Sequence, residues 1–302
     1  ADKAFKGSFD GYDGDTVHGI SNLAIKRTDE DNVGLFGVTD GSSLRRVILN
    51  NAVIEGKSNV GALVGQMKGT TVSSSATYGG SVTSTTAGSA NIGGLVGLAT
   101  DASNINSAYN SASVTGKNDD GSVNISNLGG IVGHLDNSNV SSVINAGNIY
   151  GEKSTGGLVG NVNNDTMPTN TKTLANSYNK GQVSGIDNTG GIAGEATNAS
   201  FDTVYNTNES STLSGNLAAL NADLSAIKAY YADSHNQSNS GKITGTGQNT
   251  GGLVGLAENT TIDKAYNAGN VTGTANTGGL VGQMTGSSSL ITNAYNADNN
   301  TV

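Results

Sequence analysis

The sequence predicts an all-β fold, a right-handed parallel β-helix of about eight to nine coils with one helical excursion. Three observations predict it. A short phrase, Asn-Thr-Gly-Gly-Leu-Val-Gly at Asn249 to Gly255 and Asn276 to Gly282, recurs in variants ending at Gly37, Gly65, Gly97, Gly133, Gly160 and Gly194. The intervals between these final glycines are 28, 32, 36, 27, 34, 61 and 27, so 27 residues reads as one bare unit. Each unit divides into three short pieces with Gly or Asn between them. A fixed phrase at such a period marks a solenoid or a propeller. A propeller blade needs four antiparallel strands and about 40 residues, and the Leu-x-x-Leu-x-Leu of a leucine-rich repeat is missing.

Taken in order, residues 1–30 form an opening segment. It contains Phe5-Lys6-Gly7-Ser8-Phe9-Asp10-Gly11 and His18-Gly19-Ile20-Ser21-Asn22-Leu23. Repeats follow over 31–206. The cleanest copy, Thr261 to Gly282, shows the unit: Thr261–Tyr266, then Asn270–Thr272, then Gly279–Gly282. A Tyr-Asn element recurs at Tyr109-Asn110, Tyr178-Asn179, Tyr205-Asn206, Tyr266-Asn267 and Tyr295-Asn296, with Ile144-Asn145 as a variant. A Val-Thr-Gly element recurs at Val114 and Val271, with variants at Val183 and Ile243. Like residues on successive coils stack about 4.8 Å apart. Leu over Leu then fills a core, and Asn over Asn bonds amide to amide along the axis. Eight or nine coils give a rod of roughly 40 Å. Glycine is expected to supply positive φ at the corners, and Gly-Gly before Leu to allow a tight bend.

The 61-residue interval departs from this pattern. Leu213, Leu217, Leu220, Leu224, Ile227 and Tyr231 fall at spacings of 4, 3, 4, 3 and 4, which predicts an amphipathic helix over about 214–233. Residues 207–247 are therefore read as an excursion, and 248–302 as further repeats, within a single β-helical domain. The apolar stripe of the helix must be covered, either by the flank of the rod or by a partner or a second copy of the chain.

Composition agrees. Of 302 residues 45 are Gly, one is Pro and none is Cys or Trp. Ser, Thr, Asn and Val are abundant, which suits short strands and tight turns. The net charge of −9 and scattered Lys and Arg argue against nucleic acid as a partner and against an anionic membrane surface. No stretch approaches 18 apolar residues, so no transmembrane helix is expected. The chain opens Ala1-Asp2-Lys3 and stops within a repeat, and is read as part of something longer.

The Gly-Gly-Leu-Val-Gly phrase with its Tyr-Asn and Val-Thr-Gly elements resembles the GLUG-type repeat, over nearly the whole chain except about residues 207–240. The segment from Phe5 to Leu23 is similar to the one that commonly precedes such repeats. The resemblance implies a region of a large bacterial surface or secreted protein. Filamentous-haemagglutinin-like adhesins and the non-catalytic regions of immunoglobulin-A1-cleaving metallopeptidases carry such repeats. It implies an extracellular location, and it transfers no catalytic residue and no cofactor.

Individual sites were weighed against plain structural roles. Asp10, Asp13 and Asp15 cluster among glycines, as oxygen ligands of Ca²⁺ do, but they lack a twelfth-position Glu and fit a solvated turn. His18, His134 and His235 are dispersed, and no His-Glu-x-x-His occurs. Asp101, Asp119, Asp120, Asp136, Asp165, Glu195, Asp202, Glu258 and Asp263 fall one or two per coil, mostly in turns, and read as surface charge. The binding candidates are the helical stripe Leu217, Leu220, Leu224, Ile227 and Tyr231, and the column Tyr109, Tyr178, Tyr205, Tyr266 and Tyr295. The column either faces carbohydrate or braces a corner. Three functions follow: an adhesin segment binding a host or bacterial surface glycan or protein, a passive spacer, or a carbohydrate-active enzyme. Self-association through an open coil is a further expectation.

Overall fold

The structure, a computed structural model, describes residues 3–116, 125–166, 168, 171–207 and 241–296. Among these residues every element is a strand, and none is a helix long and apolar enough to cross a membrane. The helix expected at about 214–233, with Leu217, Leu220, Leu224, Ile227 and Tyr231, lies outside the described residues.

The strands wind into a parallel β-helix with three sheets. One coil shows the pattern. Asn139–Asn145 and Ile149–Tyr150 lie in a broad 19-stranded sheet, Lys153–Gly156 in a seven-stranded sheet, and Val159–Asn163 in an eight-stranded sheet. Each strand pairs in parallel with its equivalents in the coils above and below; Val159, for instance, lies between Val132 and Ala193. The eight-stranded sheet is built from the repeat phrase itself. Its strands run from Phe36–Asp40 to Val281–Thr285 in simple sequence order.

Leu63, Leu95, Ile131, Leu158, Ile192 and Leu253 stack up the interior with no exposure. Their backbones bond along the axis, Leu158 N to Ile192 O at 3.0 Å and Ile192 N to Leu253 O at 2.8 Å. A column of this kind buries apolar area at about 25 cal/mol per Å². It repeats because every coil must fill the same section of core.

The glycine expectation holds in part: Gly41, Gly69, Gly79, Gly80 and Gly88 take positive φ at turns, but the glycines of the repeat phrase do not. The left-handed corner residue beside each phrase is not glycine but Asn: Asn32, Asn59, Asn91, Asn127, Asn188, Asn249 and Asn276, with φ between 50° and 66°. Ser154 holds the same corner at φ 48°. Asn tolerates this region better than other side chains do, and here its amide is also used. Asn59 Nδ2 donates to Asn32 Oδ1 at 2.8 Å, and the bond repeats from Asn91 to Asn59, Asn127 to Asn91, Asn249 to Asn188 and Asn276 to Asn249. The Gly-Gly pairs are required by proximity. A Cβ on Gly129 would lie 2.0 Å from Val132 O, and one on Gly130 would lie 2.3 Å from both Asn145 Cγ and Gly157 O.

A second amide ladder runs inside. Asn110, Asn145, Asn179, Asn206 and Asn267 have no exposure. Each donates to the next coil's Asn at 2.7–2.9 Å, ending on Asn296. The second N–H of each amide closes its own turn: Asn145 Nδ2 reaches Gly147 O at 2.8 Å, and Gly147 N returns to Asn145 Oδ1 at 3.1 Å. Both donors and the acceptor are therefore used, which is what lets an amide lie in a dry core. The expected Asn-over-Asn bonding is present.

Candidate binding surfaces

Within the broad sheet, side chains alternate across the strand. Ala108 and Asn110 point inward, and Tyr109 between them points outward. Register places Ile48, Ala76, Tyr109, Ile144, Tyr178, Tyr205, Tyr266 and Tyr295 in one column on the outer side. Its first members form a cluster separate from the core, with Ile48, Ala76, Ile144 and Tyr178 buried. The rings meet one another. Tyr205 and Tyr266 have centroids 4.7 Å apart, and Tyr266 and Tyr295 stack at 5.2 Å with planes 8° apart. The faces between these rings are thus occupied by neighbouring rings, and Tyr295, 57% exposed, ends the stack. Burial raises the hydroxyl pKa of Tyr109 and Tyr178, and a hydrogen bond to Ser111 partly opposes the shift at Tyr109. Lys180 Nζ stands 5.5 Å from the centre of the Tyr178 ring.

The three opening carboxylates do not converge. Asp10 Oδ1 accepts from Arg46 Nε at 2.7 Å and Asp10 Oδ2 from Arg46 Nη2, which holds the Asp10 carboxyl below its ordinary range. Asp13 Oδ2 is 2.7 Å from His18 Nε2. Its Oδ1 accepts the backbone N–H of Asp15 and of Thr16, each at 2.9 Å, and these bonds lower its pKa strongly. Among the described residues no three His, Asp or Glu side chains are placed to share a metal ion. In the sequence, His18 reads only as a dispersed histidine, and Arg46 is given no role at the carboxylates. Arg46 pairs across 36 residues, a separation at which sequence pattern carries no signal.

Of the dispersed acids, Asp202 and Asp263 fall on adjacent coils in register. Lys264 Nζ lies between them, 3.2 Å from Asp202 Oδ1 and 3.6 Å from Asp263 Oδ2. Asp263 Oδ1 also accepts from Asn293 Nδ2 at 2.8 Å and Thr292 Oγ1 at 2.9 Å, and these bonds lower its pKa. A glycosidase acid needs the opposite shift.

The outer Asn ladder breaks once, at Ser154. Ser154 Oγ donates to Glu195 Oε2 at 2.9 Å, and Asn188 Nδ2 reaches the same oxygen at 3.4 Å. On the other side of the break, Asn127 Nδ2 meets His134 Nδ1 at 3.3 Å. Burial lowers the pKa of His134, against opposing contributions from Asp136 and Glu195.

The 61-residue interval holds one coil and not two. Ser200–Asn206 pairs directly with Thr261–Asp263 and Tyr266–Asn267, and Val183–Gly185 pairs with Ile243–Gly245. Asn206 Nδ2 donates to Gly241 O at 2.8 Å. In the other coils the same bond reaches a residue two positions on. Gly241 thus takes the place that Gly147, Gly181 and Gly269 hold elsewhere, and residues 208–240 are inserted at that one turn. Thr207 and the residues from Gly241 onward belong to the coil, so the insertion is narrower than 207–247.

The geometry defines a class: a parallel β-helical rod with amides stacked inside, rings stacked outside and one long insertion at a turn. No family model matches the chain, so the GLUG resemblance rests on the residues alone. Over 111 residues, 36% of its length, the chain is 41% identical to halomucin from Haloquadratum walsbyi. It spans about 1% of that protein, so the repeat is shared with a small part of a far longer chain. A crystal structure of a candidate immunoglobulin A1 protease from Bacteroides ovatus aligns with a TM-score of 0.44 at 20% identity. The alignment covers 62% of this chain and 57% of that one. A likeness of that degree adds nothing to the architecture described above.

Proposed function

We propose that the chain is a non-enzymatic segment of a secreted or surface-exposed protein that mediates attachment to a glycan, a protein or a neighbouring cell. The observation that carries this reading is the insertion of residues 208–240 into a single turn with the register of the rod unchanged on both sides. A scaffold that carries a long insertion without altering its coils is suited to displaying it. Similarity to a short stretch of halomucin supports a place within a very long repeat protein.

The test compares the whole chain with a variant lacking residues 208–240, in which Asn206-Thr207-Gly241 reproduces the Asn-x-Gly turn of the other coils. Both are applied to glycan arrays and to cells. Binding by the whole chain that the shortened one loses supports display by the insertion. If neither binds, the rod is a passive spacer, a reading favoured by the mutual covering of the tyrosine rings. Polysaccharide turnover that disappears in Asp202→Asn or Asp263→Asn would overturn both in favour of an enzyme.

A further inference from the structure

The opening segment folds into a small hairpin over the first full coil. Tyr12 and Val17 bridge antiparallel, His18 N donates to Gly11 O at 2.8 Å, and Gly11 N donates to Arg45 O at 3.0 Å. The fit at Gly11 is close, since a Cβ there would lie 2.1 Å from Arg46 O. Beneath the hairpin is a cavity of about 210 Å³, walled by Phe9, Tyr12, Ile20, Val47 and Ile48, with Asp10, Asp13 and His18 also on its lining.

The cavity combines an aromatic and aliphatic wall with polar groups held in place. Tyr12 is fixed by its hydroxyl, which donates to Gly14 O at 2.8 Å, and by the Arg46 guanidinium, 4.6 Å from the ring centre. Phe9 and Tyr12 remain 36% and 38% exposed, unusual for large apolar side chains in this molecule. Asp10 is held by Arg46 and Asp13 by His18 and two backbone amides. The Oδ2 atom of each carboxylate takes one of these bonds and keeps a further lone pair as an acceptor.

We propose that this cavity is a glycan subsite that seats one neutral pyranose ring; the inference rests on the attachment reading above. A pyranose has an apolar C–H face and a rim of hydroxyl donors. The face fits the wall of Tyr12, Phe9 and Ile20, and the hydroxyls fit the carboxylate acceptors, whose bonds to neutral donors are charge-assisted. The volume is below the roughly 300–1,000 Å³ of drug-sized sites, so it holds a single ring. Asp10 and Asp13 on the lining disfavour a uronate or another acidic sugar. Its lining residues all lie between Phe9 and Ile48.

The test is saturation-transfer NMR and calorimetry on the full chain with a panel of neutral methyl pyranosides. A site of this size predicts saturable binding with a Kd on the order of 1 mM. Tyr12→Leu should weaken it about tenfold, or 1.4 kcal/mol, and Tyr12→Phe should retain it. Asp13→Asn, which keeps the turn acceptor Oδ1, should also weaken binding, with circular dichroism checking that each variant is folded. Absence of saturable binding across the panel overturns the proposal. So does wild-type affinity in folded Tyr12→Leu, or binding of cyclohexanol with no binding of any sugar. The two readings fail separately. Cell or array binding that survives Tyr12→Leu, with no monosaccharide bound, removes the subsite alone. Monosaccharide binding that Tyr12→Leu abolishes, with no array or cell binding by the full chain, removes the attachment reading alone.

Discussion

Replacing Asn179 by Ala should be among the most damaging single changes to this rod. Its amide makes four hydrogen bonds without any contact with solvent. Nδ2 donates to Gly181 O at 2.8 Å and to Asn206 Oδ1 at 2.9 Å, and Oδ1 accepts from Gly181 N at 3.1 Å and from Asn145 Nδ2 at 2.8 Å. Alanine removes all four and leaves the Gly181 and Asn145 N–H groups buried without those acceptors. At about 1 kcal/mol net per bond, with larger penalties for buried groups left unpaired, the loss is about 4 kcal/mol. That exceeds the roughly 0.5–3 kcal/mol of most substitutions. Asn276→Ala is the matched control. It removes one ladder bond, to Asn249 Oδ1 at 2.8 Å, and an Asn from the left-handed region, at an exposed corner where water replaces the partner. Its loss should be about 1–2 kcal/mol. Urea melts followed by tyrosine fluorescence measure both. Hydrogen exchange at Gly181 localises the effect, because coils of a solenoid open separately. Equal losses in the two variants would refute the argument that the inner ladder stabilises through its complete satisfaction.

Three further outcomes are expected. Leu253→Asp places a charge at a position with no exposure in the central column and should destabilise by about 4 kcal/mol or more; a urea melt showing a loss under about 1 kcal/mol would mean the column is not interior. The hydroxyls of Thr155, Thr189 and Thr250 are buried without a hydrogen-bond partner among the described residues, so Thr189→Val, nearly the same shape, should raise stability by about 1 kcal/mol, and a loss in thermal melts would show that the hydroxyl is bonded. Burial lowers the pKa of His134, so the unfolded chain takes up that proton first: stability is full above the ordinary histidine value of about 6.5 and declines as pH falls below it. His134→Gln should flatten stability as pH falls below about 6.5, separately from the effect of Asp10 and Asp13, whose lowered values act below about pH 4; an unchanged pH profile would exclude His134 as the cause.

Much of the architecture was legible because a solenoid applies one local rule many times. The Leu of each phrase had to be interior, since the same residue type recurs wherever the core must be filled. The Asn of the Tyr-Asn element was expected to stack amide on amide and does. The side its Tyr faces was left open by the sequence and is settled by the structure as outward, since alternation across a strand has a period of two. The backbone does bend at Gly-Gly as expected, but the left-handed corner beside it was assigned to glycine for a definable reason. Glycine either supplies unusual φ or permits close approach, and sequence alone does not distinguish the two. Here Asn32, Asn59 and their equivalents take the left-handed corner, and Gly129 and Gly130 are needed because Val132 O, Asn145 and Gly157 O come too near for a Cβ. At the candidate sites less was legible. Asp10, Asp13 and Asp15 form a cluster in sequence, but Arg46 and His18 divide it in space. Asp202 and Asp263, 61 residues apart, become neighbours because Asn206 and Gly241 belong to one turn.

The sequence by itself determined that this chain is a stack of near-identical parallel coils, and which residues fill the core and form the inner amide ladder of each coil. These follow from period and residue type, which are local properties repeated along the chain. Only the tertiary structure decided which coil lies on which, because insertions of differing length separate residues that stack directly. It thereby decided where Asn206 finds Gly241, why the tyrosine rings cover one another, and that the opening hairpin closes over a cavity. Those are contacts between coils, and their geometry is set by register, which no single repeat contains.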